Sequence, residues 1–356
     1  MILRRLKLIN FRCYSSATFE FCPGINTICG ANARGKTTIL EAIYFLISGT
    51  SFRAQQAADL IAMGASSFYI EADFIKHGVE QKLRIGCNGK ERKILHNNTA
   101  LASTSSLIGL LQGVVMTPDD VAIIKGAPAV RRQFLDLQIA QSDPLYVHHL
   151  TRYHKAMRQR NALLKSKNCS SLYTWEHEMA NSAAYISKQR HQASIDLEGT
   201  GSELHSKISG HSEKLSLQYK TSAPILESTT QLKGHFEAQF NRLRQKELLF
   251  GVTLAGPHKD DLGITIGQKE ARFFASEGQQ RSCVAALHMA EWTRLNAIGD
   301  EPPLMLIDDV GISLDASRRN NLLTHACQMG QVFLTSTHEL PIPSQNKETK
   351  VIHIEN

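Results

Sequence analysis

The sequence predicts an α/β protein in which a head with mixed sheets is interrupted by an inserted, mainly helical lobe. An apolar strand, a glycine-rich turn and a helix follow one another near the N-terminus. Helical spacing with few Gly or Pro dominates from about 128 to 209, and a second wholly apolar strand comes only near residue 303. At 356 residues the chain is longer than one hydrophobic core usually organises, which favours two lobes.

Composition excludes several classes of protein. Apolar residues make up 42% and charged residues 21% of the chain, so a disordered or fibrous protein is excluded. Seven scattered cysteines without a C-x-x-C pair indicate reduced thiols. No apolar run is long enough for a signal peptide or a membrane helix, so we expect a soluble, cytoplasmic protein without a membrane partner. The net charge of +7 favours partners that carry phosphate.

The predicted head begins with short strands. Apolar and polar residues partly alternate over 3–9 and around 19–21, and 25–29 run apolar into Gly30. Apolar residues at helical spacing follow from 37 to 47. Alternation over 68–74 and 79–85 then predicts antiparallel strands, and Asn88-Gly89 after them predicts a type I′ turn.

The middle of the chain predicts the helical lobe, over 131–137, 146–165 and 172–208, with a strand near 215–219 and a polar helix near 231–246. We place the head at 1–115 and 250–356 and the insertion at 116–249. One helix face could follow a nucleic-acid backbone, although charged helix faces are usually only solvated; it carries Arg152, Lys155, Arg158, Arg160 and Lys165. The candidate DNA contacts are Arg131, Arg132, Arg152, Lys155 and Arg158.

A phosphate-binding loop is predicted between the strand 25–29 and the following helix. The segment Gly30-Ala-Asn-Ala-Arg-Gly-Lys-Thr-Thr38 matches G-x-x-x-x-G-K-[ST]. Backbone N–H groups of such a loop and the helix N-terminus bind phosphate oxygens. We expect Lys36 to reach the β- and γ-phosphates, Thr37 to ligate Mg²⁺ and Thr38 to assist at the α-phosphate. The predicted phosphate contacts are Gly30, Ala31, Asn32, Ala33, Arg34, Gly35, Lys36, Thr37 and Thr38.

Two acids follow the late apolar strand. Asp308 is predicted to bind Mg²⁺, and Asp309, which points elsewhere, to polarise an attacking water. Because Lys36 and Asp308 are far apart in the sequence, the site is assembled from both ends of the chain, unlike that of a compact GTPase. The sequence also lacks an Asn-Lys-x-Asp tetrapeptide, so we predict ATP as the nucleotide.

A helix start resembles the signature motif of ATP-binding-cassette (ABC) ATPases. In Ser276-Glu-Gly278-Gln279, the serine could simply be an N-cap. The resemblance implies instead that Ser276, Gly278 and Gln279 contact the γ-phosphate held by a second protomer. His338, after the strand at 332–336, resembles the switch histidine, a general acid–base or γ-phosphate sensor.

Motifs spread over nearly the whole chain resemble the RecF family. They are Asn10–Tyr14, Ser51–Arg53, Val115–Val121 with Lys125-Gly126 and Arg131-Arg132, Gln159–Asn161, Gly256–Leu262 and Gly278–Arg281. The resemblance implies an ABC-type ATPase head, like that of structural-maintenance-of-chromosomes (SMC) proteins, with a compact helical lobe in place of a long coiled coil.

The family also implies a function in bacterial DNA repair. Its members dimerise on ATP, bind double-stranded DNA near single-strand gaps, and act with RecR and RecO so that RecA loads there. Weak, DNA-stimulated ATP hydrolysis is then expected to reset the dimer.

The chain departs from the family pattern at several positions. Ala33 and Arg34 replace a glycine and a small residue, which costs little unless a positive φ is needed. The family's Ser-Glu-Leu-Asp becomes Ile312-Ser313-Leu314-Asp315, which affects the expected coupling between the two ATP sites. Gln112 is the candidate for the glutamine that links nucleotide to the helical lobe.

Two other functions are alternatives: the nucleotide-binding subunit of an ABC transporter and a scaffold that binds nucleotide without hydrolysing it. A transporter's nucleotide-binding subunit usually keeps its phosphate loop and acids closer together and has Glu in place of Asp309. A scaffold that binds nucleotide without hydrolysing it need not keep Lys36, Thr37 and both acids, all of which are present.

Overall fold

The structure is a computed structural model and describes residues 1–210, 213–224, 228–310, 315–342 and 347–354. The chain divides into two compact units, each assembled from discontinuous segments. The first unit comprises Met1–Val121, Thr200–Glu213 and Ser276–Asn356, and the second comprises Ala122–Gly199 and Lys214–Ala275. Within the described residues, every helix is too short or too polar to span a bilayer.

The strands are β1 Ile2–Phe11, β2 Tyr14–Glu20, β3 Ile25–Cys29, β4 Phe68–Lys76, β5 Val79–Cys87, β6 Arg92–His96, β7 Thr99–Ala100, β8 Gly113–Met116, β9 Leu215–Lys220, β10 Asp261–Ile266, β11 Lys269–Glu270, β12 Leu304–Ile307, β13 Val332–Ser336 and β14 Thr349–His353. The helices are α1 Lys36–Ser48, α2 Ala122–Lys125, α3 Pro128–Ser142, α4 Pro144–Lys165, α5 Leu172–Ser209, α6 Thr229–Phe250, α7 Ala271–Phe274, α8 Glu277–Ile298 and α9 Ala316–Ala326. Short 3₁₀ turns lie at Ala57–Leu60, Thr104–Leu107, Pro118–Val121 and Pro257–Lys259.

The first unit holds two kinds of sheet. An antiparallel sheet has the strand order β2-β1-β4-β5-β6-β7. A parallel sheet has the order β14-β3-β13-β12-β8, in which β3 and β12 are buried along their whole length. Because these strands are parallel, the loops that follow β3, β12, β13 and β8 emerge at the same edge.

Helix α1 is fixed by the core of the first unit. It begins after Gly35 and ends at Gly49, both with positive φ. Its side chains Ile43 and Phe45 belong to one apolar cluster with Leu6 of β1 and Leu306 of β12. Burial of such side chains contributes about 1.5–3 kcal/mol each, so the start of α1 is held firmly in place.

The second unit contains helices α2, α3, α4, α6 and α7, most of α5, and an antiparallel sheet of order β11-β10-β9. Strand β10 pairs with β9 from Asp261↔Lys220 to Ile266↔Leu215. Residues 214–275 group with the helices, whereas the second segment of the predicted head began at 250. Residues 200–213 group with the first unit, although the predicted insertion included them.

The turn between β5 and β6 differs from the predicted type I′ turn. Residues 88–91 connect the strands, and of the Asn-Gly pair only Gly89 has a positive φ. The Asn88 side chain instead accepts hydrogen bonds from the backbone N–H groups of Lys90 and Glu91, at 3.1 and 2.7 Å. The prediction was wrong because an Asn side chain can close a longer loop by itself.

Candidate functional site

The loop 30–35 joins the buried strand β3 to α1. Gly35 has φ +99°, and a Cβ there would lie 2.7 Å from Cys13 Sγ and 2.8 Å from the Tyr14 hydroxyl. A side chain at Gly30 would lie 2.9 Å from the Ile354 carbonyl. These glycines let the backbone approach its neighbours closely, which leaves the loop's N–H groups for phosphate oxygens.

Ala33 adopts the backbone conformation that glycine would favour. Its φ is +64°, in the left-handed region. This conformation costs an L-residue about 1–2 kcal/mol. Alanine in place of the family's glycine therefore has a conformational cost at this position. The neighbouring Arg34 is exposed.

Lys36 lies over the loop. Its ammonium donates to the carbonyls of Gly30 and Ala31 at 2.7 and 2.8 Å. The charge therefore faces the concave side of the loop, where a triphosphate would bind.

The two ends of the chain meet at Asp308. Its Oδ1 accepts hydrogen bonds from the hydroxyls of Thr37 (2.9 Å) and Thr335 (2.7 Å). Burial, together with the charge of neighbouring Asp309, raises the pKa of Asp308 despite these donors. A hydroxyl and a carboxylate are the hard oxygen ligands that Mg²⁺ prefers, so Thr37 and Asp308 fit that ion.

Thr335 is a site residue that sequence reasoning missed. Its hydroxyl donates to Asp308 and accepts the backbone N–H of Asp309 at 2.7 Å. Asp309 itself has φ +53°, an uncommon conformation that this hydrogen bond helps to hold. The signal was a polar residue inside the apolar strand 332–336.

The phosphate loop and the acids surround a cavity of about 600 Å³. Its lining residues are Arg12, Cys13, Asn32, Ala33, Gly35, Lys36, Thr37, Thr38, Arg53, Ile61, Asp308, Asp309 and Thr335. The structure therefore brings six of the nine predicted loop contacts together with both acids and with two cations from the motifs at 10–14 and 51–53, whereas Gly30, Ala31 and Arg34 do not line the cavity. Those motifs had no assigned role in the sequence.

Arg12 is positioned by a buried acid. Its Nε and Nη2 donate to the Glu41 carboxylate at 3.0 and 2.8 Å, and Glu41, on α1, is fully buried. The Glu41 side chain raises the pKa of Arg12. The guanidinium is thus held at the cavity by α1, the helix that follows the phosphate loop.

His338 and the signature motif do not line this cavity. His338 is exposed and lies beyond the end of β13, at the same edge of the sheet as the phosphate loop. Ser276 is the N-cap of α8 and forms a capping box with Gln279. A side chain at Gly278 would lie 2.1 Å from Arg318 Nη1. A phosphate contact by these residues stays a prediction.

Gln112 lies at the wrong edge of the sheet to contact nucleotide. It precedes β8, and its carbonyl accepts the Leu304 N–H at 2.9 Å, at the start of β12. The phosphate loop lies at the opposite ends of these parallel strands. The candidate is therefore corrected, since residues 117–121, after β8, lie on the nucleotide side.

The predicted DNA contacts divide by burial. Arg131 is 5% exposed and forms a bidentate ion pair with Asp261 at 2.6 and 2.9 Å, so we withdraw it as a DNA contact. Arg132 is half-buried and donates to the Asp260 carbonyl at 2.8 Å. Arg152 is exposed but paired with Glu178. Lys155 and Arg158 are exposed on α4.

Arg160 is not part of a solvated basic face. It is fully buried and donates to Glu176 (2.9 Å), Glu247 (2.5 Å) and the Thr253 hydroxyl (2.9 Å). The adjacent Asn161 accepts from Thr253 as well. Two of the three residues of the motif 159–161 therefore have structural roles.

The motif 256–262 also lies within the second unit. His258 accepts from the Tyr153 hydroxyl at 2.7 Å through Nδ1, because its Nε2 faces the Thr253 carbonyl at 3.2 Å, which can only accept. The Asp260 carboxylate accepts from the Tyr219 hydroxyl at 2.5 Å.

Ile312, Ser313 and Leu314 fall outside the described residues, whereas Asp315 caps α9. Within the described ranges, no group of three or more His, Cys, Asp or Glu side chains could hold a metal ion.

Comparison with known proteins gives a consistent result. The family model described as the RecF/RecN/SMC N-terminal domain matches residues 2–356. The chain is 51% identical over 338 residues to the DNA replication and repair protein RecF of Protochlamydia amoebophila, covering 95% of this chain and 94% of that one. It is 36% identical over 343 residues to the protein of that name from Symbiobacterium thermophilum, covering 95% and 92%.

Solved structures agree on the fold. A recombination mediator protein RecF with ATP, described as part of the RecFOR pathway, has a TM-score of 0.89 at 29% identity, covering 96% of this chain and 93% of that one. The Smc head domain of Pyrococcus furiosus has a TM-score of 0.55 at 18% identity, covering 95% and 90%, and supports the fold alone. The predicted ABC-type, SMC-like head with an added helical lobe is confirmed.

Proposed function

The chain belongs to the RecF family, and on that premise we propose that it is an ATP-dependent DNA-binding repair protein. One observation carries the proposal: the hydroxyl of Thr37, in the phosphate loop, lies 2.9 Å from Asp308 Oδ1, near the other end of the chain. Such an assembly is what an ABC-type head needs to bind a nucleoside triphosphate.

The chain's own residues perform the binding. Backbone N–H groups of 32–37 cradle the phosphates, and Lys36 exchanges its two carbonyl contacts for phosphate oxygens. Arg12 and Arg53 add positive charge to the cavity wall. Asp309, held by Thr335, accepts a proton from the attacking water. Thr37 and Asp308 would hold a Mg²⁺ ion, which would supply charge neutralisation for the phosphates.

The signature residues act between protomers. Ser276, Gly278 and Gln279 contact the γ-phosphate bound by the second copy, and His338 senses it. Ser276 is exposed, so a partner's nucleotide has access to it. ATP thereby joins two copies, and slow hydrolysis, stimulated by DNA, separates them.

The dimer holds double-stranded DNA near single-strand gaps. Exposed Lys155 and Arg158 support this contact, together with Arg132 and Arg152. A related structure belongs to the RecFOR pathway. By that relation this protein acts in the cytoplasm with RecR and RecO to load RecA.

Sedimentation of the protein with ATP or with ADP tests the ATP-dependent dimer. We expect monomers with ADP and dimers with ATP. Lys36→Met should abolish ATP binding and the dimer. Asp309→Asn should bind ATP and remain dimeric while turnover falls about a hundredfold or more.

Lys90→Met and Asp300→Asn, at exposed positions in turns, are the matched charge-removal controls and should behave as the wild type. The same oligomeric state with ATP and with ADP would contradict the proposed ATP-dependent dimer.

A further inference from the structure

A buried charged cluster lies in the first unit, outside the nucleotide cavity. His288 of α8 lies between two acids: its Nδ1 is 3.1 Å from Glu291 Oε2 and its Nε2 is 3.2 Å from Asp120 Oδ2. His288 and Glu291 are 5% and 3% exposed. Burial lowers the pKa of His288, but the two carboxylates outweigh it and raise the pKa to about 10. The imidazolium can therefore pair with both acids at once.

One peptide group connects this cluster to the acid at the nucleotide site. The Met116 carbonyl accepts the backbone N–H of Asp308 at 2.8 Å. The N–H of the same peptide, on Thr117, donates to Asp120 Oδ2 at 2.6 Å. That oxygen is the one that faces His288. A continuous path of polar contacts therefore runs from the backbone of Asp308 to α8.

The same helix carries the signature residues at its start. Ser276 caps α8, and His288 lies twelve residues further on, about 18 Å along a rigid helix. Helix α8 is also packed against the turn 118–121. A shift of the Met116–Thr117 peptide would therefore act on α8 through an ion pair in addition to the packing between them.

We propose that His288 is a positioning residue. Through Asp120, it couples the Asp308 end of a protomer's nucleotide site to α8, the helix whose signature residues that same protomer presents to its partner. This inference rests on the proposed ATP-dependent dimer. The proposed link lies within the first unit and is distinct from the link between nucleotide and the helical lobe for which Gln112 was the candidate.

The test compares ATP binding with dimerisation in His288→Gln and Asp120→Asn. Binding of a fluorescent ATP analogue, at protein concentrations too low for dimers, should stay within about twofold of the wild type. The dimer dissociation constant with a non-hydrolysable ATP analogue, measured by sedimentation, should rise about tenfold. The double variant should be no weaker than either single variant, because each substitution already breaks the path.

Trp292→Phe is the matched control on α8. It removes a buried hydrogen bond of 2.8 Å to the Pro303 carbonyl, outside the path, and should lower the melting temperature while the dimer constant is unchanged. Asp120→Asn changes a partly exposed residue and keeps the test valid if His288→Gln does not fold.

The outcomes separate the two proposals. A wild-type protein that neither binds ATP nor dimerises overturns the proposed function. A wild-type protein that dimerises, with His288→Gln and Asp120→Asn dimerising equally well, overturns only the coupling role. Additive losses in the double variant would also overturn it.

Discussion

Ala33 stores backbone strain in the loop that binds phosphate. Its φ of +64° is one that an alanine side chain resists, whereas glycine accepts it. Strained residues persist where the surrounding structure over-determines them, and phosphate-binding loops are one such place.

Replacing Ala33 with glycine should stabilise the protein. Relief of the left-handed strain, about 1–2 kcal/mol, exceeds the entropy that glycine adds to the unfolded chain, about 0.4–1 kcal/mol. Chemical denaturation of Ala33→Gly should therefore show a gain of about 0.5–1 kcal/mol. Ala31→Gly, at an exposed loop position without positive φ, should instead lose stability. Equal changes in the unfolding free energy of the two variants would contradict backbone strain at Ala33.

His258 should make stability depend on acid pH. Burial lowers the pKa of His258 to about 4, whereas an unfolded histidine titrates near 6.5. The unfolded chain therefore binds the proton more readily, so stability is full above pH 6.5 and falls as the pH drops toward 4. Between pH 6.5 and 4, the unfolding free energy of the wild type should fall more steeply than that of His258→Gln, by up to about 1.4 kcal/mol per pH unit. Denaturation at each pH measures both. An unfolding free energy that changes equally with pH in the wild type and in His258→Gln would contradict a buried, neutral His258.

Site residues that belong to a sequence motif could be predicted, whereas the residues that support them could not. Lys36, Thr37 and Asp308 follow from local patterns. Thr335 and Arg12 could not be placed, because their roles depend on which strand or helix lies beside them. Only the parallel pairing of β12 and β13 puts Thr335 against Asp308.

Helix α4 shows why cations on one helix cannot be ranked from spacing alone. Tyr153, Ala156, Arg160 and Leu164 recur at helical intervals and are buried, whereas Lys155 and Arg158 face solvent. Arg160 is neutralised by acids of α5 and α6, which lie far away in the sequence. No local pattern indicates such partners, so the predicted basic face wrongly included Arg160.

Substitution on the two faces of α4 should have different effects. Arg160→Met leaves Glu176 and Glu247 buried, although Arg244 still pairs with Glu176, and should cost about 3–5 kcal/mol of unfolding free energy. Arg158→Met, the matched exposed change, should stay within about 0.5 kcal/mol. Urea denaturation measures both. A small loss for Arg160→Met would contradict its structural role.

At the scale of the whole molecule, both lobes were predictable but their boundaries were not. The apolar runs and the helical stretch indicate a split head with an insertion. The unit boundary near 275, instead of 250, depends on β10 pairing with β9, and strand pairing between distant segments leaves no mark in either segment alone.

The charge of the chain also has a whole-molecule meaning. One copy carries only +7, a modest basic excess for a DNA-binding protein. In the proposed ATP-dependent dimer the two copies would together carry twice that charge, so we expect DNA affinity to follow the nucleotide state and to fall with salt.

Binding of a gapped DNA duplex, with ATP or ADP and over a series of salt concentrations, tests this account most directly. We predict tight, salt-sensitive binding with ATP, and binding at least about tenfold weaker with ADP or for Lys36→Met. Equal DNA affinity with ATP, with ADP and for Lys36→Met would contradict it.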